Sequence, residues 1–296
     1  DEGHPRYWNI AFKREPEAYT PEHLEQSLLV ANLTGGTNTR LLLMEQIRTL
    51  NARLQHEFEE VARVQKALLP RTTPQIGGLE IATSYLPSEQ AGGDYFDFFA
   101  FDDGTWGILI ADVSGHGAAA ATVMAMLHGI LHAYSGAGKS PDAVLRYANT
   151  QLLRAGIEGT FVTAFLGIYE PATGRLTYAR SGHNPPLLKD GTTGEVTILD
   201  GAGSLPLGVF EPYEISMACI QLRPMDTLVL YTDGITEAMN SAREMFGPER
   251  LDVSLTRCSG APDCVVDSVH GALFQHTQSL NRSDDQTLVA IRYRGT

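Results

Sequence analysis

Short apolar runs alternate with longer stretches of helical periodicity from Leu79 to the end of the chain. Runs rich in aromatic and β-branched residues predict strands at 79–85, 95–101, 105–113, 161–169, 175–181, 186–189, 195–199, 214–222, 226–232 and 286–293. Helices are predicted at about 117–134, 141–155, 248–257 and 262–279. Because strands arrive in runs and helices in pairs, the pattern favours layered α+β architecture over a doubly wound parallel sheet.

The N-terminal part follows a different pattern. Residues 1–37 are polar and predict only a short helix, which starts after Thr20 and stops near residues 32–36. We interpret this segment as the tail of an upstream sensor domain, in a chain that starts at Asp1 as a fragment of a longer protein.

Residues 38–70 predict a helical connector. Two apolar positions recur every seven residues, with Glu57 as the one defect: Ile47, Leu54, Val61 and Leu68 occupy one, and Leu43, Leu50 and Val64 the other. The pattern favours a coiled-coil-like homodimer seam at 38–69. The alternative is an amphipathic helix that lies on its own domain. Pro70 ends the helix, and residues 71–296 form the main domain.

Composition narrows the class of protein. The chain has 296 residues, is 43% hydrophobic, and carries a formal net charge of −13, which argues against nucleic acid as a partner. Three scattered cysteines predict a reducing, cytoplasmic location without a disulfide framework. No apolar run approaches the roughly 18–20 residues of a membrane span.

Acidic residues stand at the ends of several predicted strands. Asp112 ends an apolar run, Asp94 follows two glycines, Asp233 follows another apolar run, and Asp284 and Asp285 precede the last strand. Two carboxylates about 4 Å apart repel by roughly 4 kcal/mol at an effective dielectric of 20. Divalent cations remove that repulsion, and all-oxygen ligands select Mg²⁺ or Mn²⁺ over zinc.

Such a cluster predicts phosphoric-ester chemistry. Two ions about 3.5–4 Å apart lower the pKa of a bound water and clamp phosphoryl oxygens. The alternative, in which each acid separately caps a helix or a turn, is credible for a single residue but weaker for the set.

The ordered set of motifs resembles the metal-dependent protein phosphatases of type 2C, the PPM family, in its bacterial RsbU/SpoIIE-like branch. The matching segments, which span about residues 64–293, are Val64–Pro70, Ala91–Asp97, Ala111–Gly117, Ser181–Pro186, Pro206–Gly208, Tyr231–Glu237 and Asp284–Thr287. The resemblance implies a four-layer α-β-β-α sandwich, a binuclear Mn²⁺/Mg²⁺ centre, and a phosphoserine or phosphothreonine protein substrate.

The resemblance also implies a ligand set. Asp94 and Asp112 would serve one ion, and Asp112, Asp233 and Asp284 the other, with the Val113 carbonyl as a backbone ligand. These acids would act in catalysis through water: a metal-bridging hydroxide attacks the phosphoryl group without a covalent intermediate. No cysteine lies near the acid motifs, which weighs against a cysteine nucleophile.

Several assignments stay open. Asp285 is the alternative to Asp284, because adjacent acids leave the register ambiguous. His116 is a candidate general acid, with a loop histidine bonded to the backbone as the alternative. His183 is interpreted as structural. No counterpart of a phosphate-gripping arginine is assigned.

Histidines 128 and 132 have the i, i+4 spacing of a metal pair on a helix, but their apolar surroundings favour ordinary packing. The sequence thus predicts a serine/threonine protein phosphatase, and the branch suggests a STAS-type anti-sigma-factor antagonist as its phosphorylated substrate. Two alternatives remain: another two-metal hydrolase such as a phosphodiesterase, and a catalytically silent binding module.

Overall fold

A computed structural model describes residues 20–135, 139–157, 159–211 and 213–295. The contacts divide the chain into two compact units, one up to Glu57 and one from Phe58 onward. The helices are α1 (Pro21–Leu68), α2 (Gly117–His132), α3 (Pro141–Ala155), α4 (Asp233–Thr236), α5 (Gly247–Arg257) and α6 (Pro262–Thr277). The strands are β1 (Leu79–Leu86), β2 (Tyr95–Ala100), β3 (Trp106–Val113), β4 (Val162–Glu170), β5 (Arg175–Ser181), β6 (Leu187–Lys189), β7 (Val196–Ile198), β8 (Met217–Gln221), β9 (Thr227–Tyr231) and β10 (Gln286–Tyr293).

The first unit consists, in its described part, of the N-terminal portion of α1. The prediction of a short helix that stops near residues 32–36 is wrong, because α1 runs without a break through Gly35 and Gly36. Each helical glycine costs only about 1 kcal/mol relative to alanine. A run of 48 helical residues absorbs that cost. The predicted boundary between residues 37 and 38 therefore lies inside α1. Of the predicted N-terminal segment, residues 1–19 lie outside the described residues, and most of the rest belongs to the start of α1.

The connector's apolar positions divide into two groups. Leu43, Ile47 and Leu50 are more than half exposed. Val61 and Leu68, by contrast, are partly buried against apolar clusters of the second unit. The exposed side chains form an apolar surface in the N-terminal part of the heptad pattern, and the homodimer seam stays a prediction.

The second unit contains two antiparallel five-stranded sheets. The first sheet has the order β1-β10-β9-β6-β7 and the second has the order β2-β3-β4-β5-β8. Helices α5 and α6 pack on the first sheet, and α2 and α3 pack on the second. None of the helices in the described ranges is long and apolar enough to cross a membrane.

Strand β9 shows how the layers are built. All five of its residues are buried. Leu228 and Leu230 belong to the apolar core between the two sheets, whereas Val229 and Tyr231 belong to the cluster under α5 and α6. Because alternate residues of a strand point to opposite faces, both faces of this sheet are covered. The predicted four-layer α-β-β-α sandwich is confirmed.

Candidate metal centre

The predicted acids meet at one end of the two sheets. Asp94 directly precedes β2, and Asp112 is the penultimate residue of β3, its antiparallel neighbour. On the first sheet, Asp233 follows the end of β9 and Asp284 precedes the start of the neighbouring β10. Antiparallel pairing brings the end of one strand beside the start of the next. Each sheet therefore carries one pair of acids at one end, and the hydrogen bond from the Thr232 hydroxyl to Asp94 brings these two ends together.

Asp94 connects the two sheets at this end. Its side chain is 1% exposed, and its Oδ2 accepts hydrogen bonds from the hydroxyls of Thr232 at 2.8 Å and Thr287 at 2.5 Å. Thr232, just after β9, donates its N–H to the Thr287 carbonyl at 3.1 Å, and its hydroxyl accepts the Thr287 N–H at 3.0 Å. Burial, followed by the charge of Asp112, raises the pKa of Asp94 well above its usual range.

The pKa values of the other three acids are also raised. Burial, and then the charges of Asp233, Asp284 and Asp285, raise the pKa of Asp112 to about 8. Burial also raises the pKa of Asp233 and of Asp284, and the charge of Asp233 adds to the shift at Asp284. A divalent cation among these carboxylates would stabilise their ionised forms and reverse the shifts.

The two adjacent acids before β10 have different surroundings. Asp285 is 4% exposed, and its carboxylate accepts bonds from the backbone N–H of Ser88 at 2.7 Å, the Ser88 hydroxyl at 3.0 Å and the Gly93 N–H at 2.8 Å. Asp284 is exposed, and among the described residues its carboxylate accepts one hydrogen bond, from the N–H of Asp285 to Oδ1 at 2.8 Å. Asp285 is engaged in holding the loop around Gly93, so Asp284 is the acid with free oxygen lone pairs.

Glycines permit the close backbone approaches around the acids. A Cβ on Gly93 would lie 2.6 Å from the Val113 carbonyl oxygen, and a Cβ on Gly234 would lie 2.0 Å from the Asp285 carbonyl oxygen. Both distances are far below van der Waals contact, so no larger residue fits without displacing the backbone. Gly234 therefore allows the backbone after Asp233 to pass close to the Asp285 carbonyl.

The two candidate histidines differ in exposure. The side chain of His116 is 76% exposed, and its Nδ1 lies 3.2 Å from Glu89 Oε1 rather than on the backbone; its role as an acid stays a prediction. His183 is buried and bonds the Thr163 hydroxyl at 2.8 Å through Nδ1. Burial lowers the pKa of His183 to about 3, which suits the predicted structural role.

The donor set fits Mg²⁺ or Mn²⁺. The four acids offer carboxylate oxygens, and the Val113 carbonyl lies against Gly93 beside Asp112. Hard divalent ions take oxygen ligands of this kind. No three of these carboxylates bring ligand oxygens within 4.8 Å of one another in the described part of the chain, so the ligand assignments rest on topology and charge.

Comparison with known proteins decides the family. Residues 102–294 match the sequence profile of the family described as Stage II sporulation protein E (SpoIIE), which is more than half of the chain. The chain belongs to this family. The match begins after Asp94, so it includes Asp112, Asp233 and Asp284 but not the loop before β2.

Individual relatives agree with this membership. The chain is 28% identical over 249 residues to the protein named phosphoserine phosphatase RsbU of Bacillus subtilis, covering 84% of this chain and 73% of RsbU. It is 26% identical over 287 residues to protein IcfG of Synechocystis, covering 86% of this chain and 45% of IcfG. The chain thus spans less than half the length of IcfG.

A solved structure supports the fold. The SiaA-PP2C domain of Pseudomonas aeruginosa superposes with a TM-score of 0.73 at 21% identity, covering 83% of this chain and 98% of that domain. The second unit therefore has the PP2C-like fold that the resemblance implied.

Sequence analysis missed a second group of ligand-type side chains. Asp97, His128 and His132 bring one ligand atom each within 4.8 Å of one another. The spacing of the two histidines indicates a pair on one helix face. Nothing in the sequence places Asp97 of β2 beside α2, so ordinary packing is the prediction. The one sequence signal for this group is a second acid, Asp97, three residues after Asp94.

Proposed function

We propose that this protein is a metal-dependent serine/threonine protein phosphatase whose centre holds two Mg²⁺ or Mn²⁺ ions. Asp94 and Asp112 would hold one ion, and Asp112, Asp233 and Asp284 the other, with the Val113 carbonyl as a backbone ligand. Bound ions of this kind supply an acidified water and neutralise phosphoryl oxygens. The observation that carries the proposal is the convergence of four strand-end acids whose pKa values are all raised, by burial at each and also by neighbouring cluster carboxylates at Asp94, Asp112 and Asp284.

The chain's own residues position this centre. Thr232 and Thr287 both donate to Oδ2 of Asp94 and thereby fix the orientation of its carboxylate. Asp285 fixes the Gly93 N–H and thereby the loop that precedes Asp94. Rigid outer contacts of this sort orient metal ligands and are worth about 10–100-fold in affinity.

The substrate is proposed from the family. RsbU is named a phosphoserine phosphatase, which supports phosphoserine or phosphothreonine on a signalling protein as the substrate class. We propose, more narrowly, a phosphorylated STAS-type anti-sigma-factor antagonist, as the RsbU/SpoIIE-like branch suggests.

The end of α1 supports a regulatory role for the connector. Gln65, 2% exposed, donates from Nε2 to the Gly92 carbonyl at 2.5 Å and accepts the Gly92 N–H through Oε1 at 3.1 Å. The next residue, Gly93, donates to Asp285. A displacement of α1 by a sensor would thus reach the loop that carries Asp94, and we propose that it changes how Asp94 and Asp112 meet metal.

Hydrolysis assays test the proposal. A phosphoserine peptide, a phosphorylated STAS protein and bis-p-nitrophenyl phosphate are compared with EDTA, Mg²⁺ or Mn²⁺, using Asp112→Asn as the inactive variant and Lys66→Ala as a matched surface control. We expect Mn²⁺- or Mg²⁺-dependent release of phosphate from the phosphoproteins, lost in Asp112→Asn and kept in Lys66→Ala. Preference for the diester would favour a phosphodiesterase, and no turnover with any metal would favour a binding module.

A further inference from the structure

Three ligand-type side chains lie together away from the acid centre, between β2 and the C-terminal end of α2. His128 and His132 stand one helical turn apart, and their ring centroids are 4.2 Å from each other. Asp97 faces them from β2: its Oδ2 lies 2.7 Å from His132 Nε2 and 3.7 Å from His128 Nδ1. Residues four apart on a helix share one face, so both rings are directed at the same carboxylate.

The carboxylate is fixed before any ligand arrives. Its Oδ1 accepts the N–H of Phe98 at 2.7 Å, and its Oδ2 accepts the hydroxyl of Tyr95 at 2.5 Å. Tyr95 Oη also lies 2.8 Å from His128 Nδ1. The side chain of Asp97 is 8% exposed, so these contacts decide its orientation. Metal ligands in proteins are held by hydrogen bonds of this kind to their second oxygen or nitrogen.

The two histidines are suited to bind a cation. Burial, and then the neighbouring His132, lower the pKa of His128, so that its ring is neutral and has a lone pair at neutral pH. The side chain of His132 is 45% exposed, and that of His128 22%. Solvent therefore reaches the group from the α2 side, and water can complete a coordination shell.

We propose that Asp97, His128 and His132 form a binding site for a transition-metal ion of the Zn²⁺ class. Imidazole nitrogens favour Zn²⁺, Co²⁺ or Ni²⁺, whereas the all-oxygen acid centre favours Mg²⁺ or Mn²⁺. The two sites therefore differ in the ions that they select. Two histidines and one carboxylate leave one or more positions open to water.

A metal ion at this site would stabilise the two elements that also carry or follow the acids. Strand β2 starts at Tyr95, next to Asp94, and α2 starts at Gly117, five residues after Asp112. An ion at Asp97, His128 and His132 would tie β2 to the C-terminal end of α2, three residues along the chain from Asp94. We expect bound Zn²⁺ to raise the melting temperature of the protein whether or not the acid centre is intact.

Cobalt is the probe, because Co²⁺ replaces Zn²⁺ and its visible absorption reports nitrogen ligands and coordination number. The full chain is titrated with Co²⁺ in excess Mg²⁺, which occupies the acid centre. We expect one Co²⁺ per chain with absorption typical of a four- or five-coordinate ion, and competition by a stoichiometric amount of Zn²⁺.

Four variants decide the assignment. His132→Gln, at a half-exposed position, is expected to weaken Co²⁺ binding at least tenfold and to abolish the Zn²⁺-induced rise in melting temperature. His276→Gln is the matched control, because that half-buried histidine lies on α6 and bonds the Glu244 carbonyl. Asp233→Asn is expected to keep the Co²⁺ spectrum, which separates this site from the acid centre. Absence of the spectrum in the wild type, or its survival in both His132→Gln and His128→Gln, would show that the three residues form only a hydrogen-bonded network.

Discussion

Replacing each of the two adjacent acids before β10 separates a metal ligand from a positioning residue. We predict that Asp285→Asn destabilises the metal-free protein and that Asp284→Asn does not. The reason is the difference in their contacts: the Asp285 carboxylate accepts three hydrogen bonds, two of them from Ser88 and one from Gly93, whereas Asp284 accepts one.

The magnitude follows from those contacts. An asparagine at 285 keeps one carbonyl oxygen, which can still accept from Ser88, but turns an amide N–H₂ toward the Gly93 N–H. One charge-assisted hydrogen bond is lost, and a buried donor is left unpaired, which costs roughly 2–3 kcal/mol. For a domain of this size, that corresponds to a fall in melting temperature of about 4–12 °C.

Asp284→Asn has the opposite balance. Its Oδ1 can still accept the N–H of residue 285, and the change removes the repulsion between Asp284 and Asp233. We expect an unchanged or slightly higher melting temperature in EDTA, with Mn²⁺ affinity reduced by at least the roughly 10–100-fold that loss of an outer-shell partner costs.

The assay is thermal unfolding in EDTA, followed by Mn²⁺ titration of both variants. A lower melting temperature for Asp284→Asn together with an unchanged one for Asp285→Asn would refute the assignment of roles. A Mn²⁺ affinity that stays at the wild-type value in Asp284→Asn would remove this residue from the ligand set.

Three further predictions concern regulation, protonation and assembly. Gln65→Ala should lower Mn²⁺ affinity and turnover, because it removes both hydrogen bonds to the backbone of Gly92, whereas Lys66→Ala should change neither quantity. Mn²⁺ titration of phosphoserine-peptide hydrolysis measures both quantities. Equal behaviour of the two variants would exclude the Gln65 contact from regulation. The folded-state pKa of Asp112, about 8, exceeds its unfolded value, so the stability of the metal-free protein should fall as pH rises from about 4 to 8. Because a bound metal ion displaces the proton of Asp112, the Mn²⁺-induced rise in melting temperature should be larger at pH 8 than at pH 6. The reverse order would contradict the raised pKa. Leu50→Asp with Leu54→Asp should convert a dimer to a monomer in sedimentation, and unchanged sedimentation and turnover would make the connector passive.

Most of the layered fold is predictable from the pattern of the chain. The predicted strands 175–181 and 286–293 coincide with the observed β5 and β10, because short runs with apolar positions between turn signals usually form strands in a globular domain. Helix α4, with four residues, was not predicted, since one helical turn has no periodicity to detect. The continuity of α1 through Gly35 and Gly36 was also missed, because glycine pairs normally end a helix.

The position of the acids at strand ends was predictable from the sequence, but the contacts that support them were not. The position of each acid at a strand end is a local feature, and antiparallel pairing does the rest. The bonds of Asp285 to Ser88, 197 residues away, and of Gln65 to Gly92 depend on the tertiary structure, so no local pattern indicates them. The approach of Asp97 to the α2 histidines is likewise a contact between elements.

Counting bound Mn²⁺ while measuring phosphate release from a phosphoserine peptide in the same samples tests the two-ion centre most directly. The site predicts two Mn²⁺ ions per chain at the acids in the presence of Zn²⁺, turnover that rises with occupancy of the second ion, and loss of both in Asp112→Asn. Full turnover with one ion bound, or two ions retained in Asp112→Asn, would contradict the two-metal phosphatase.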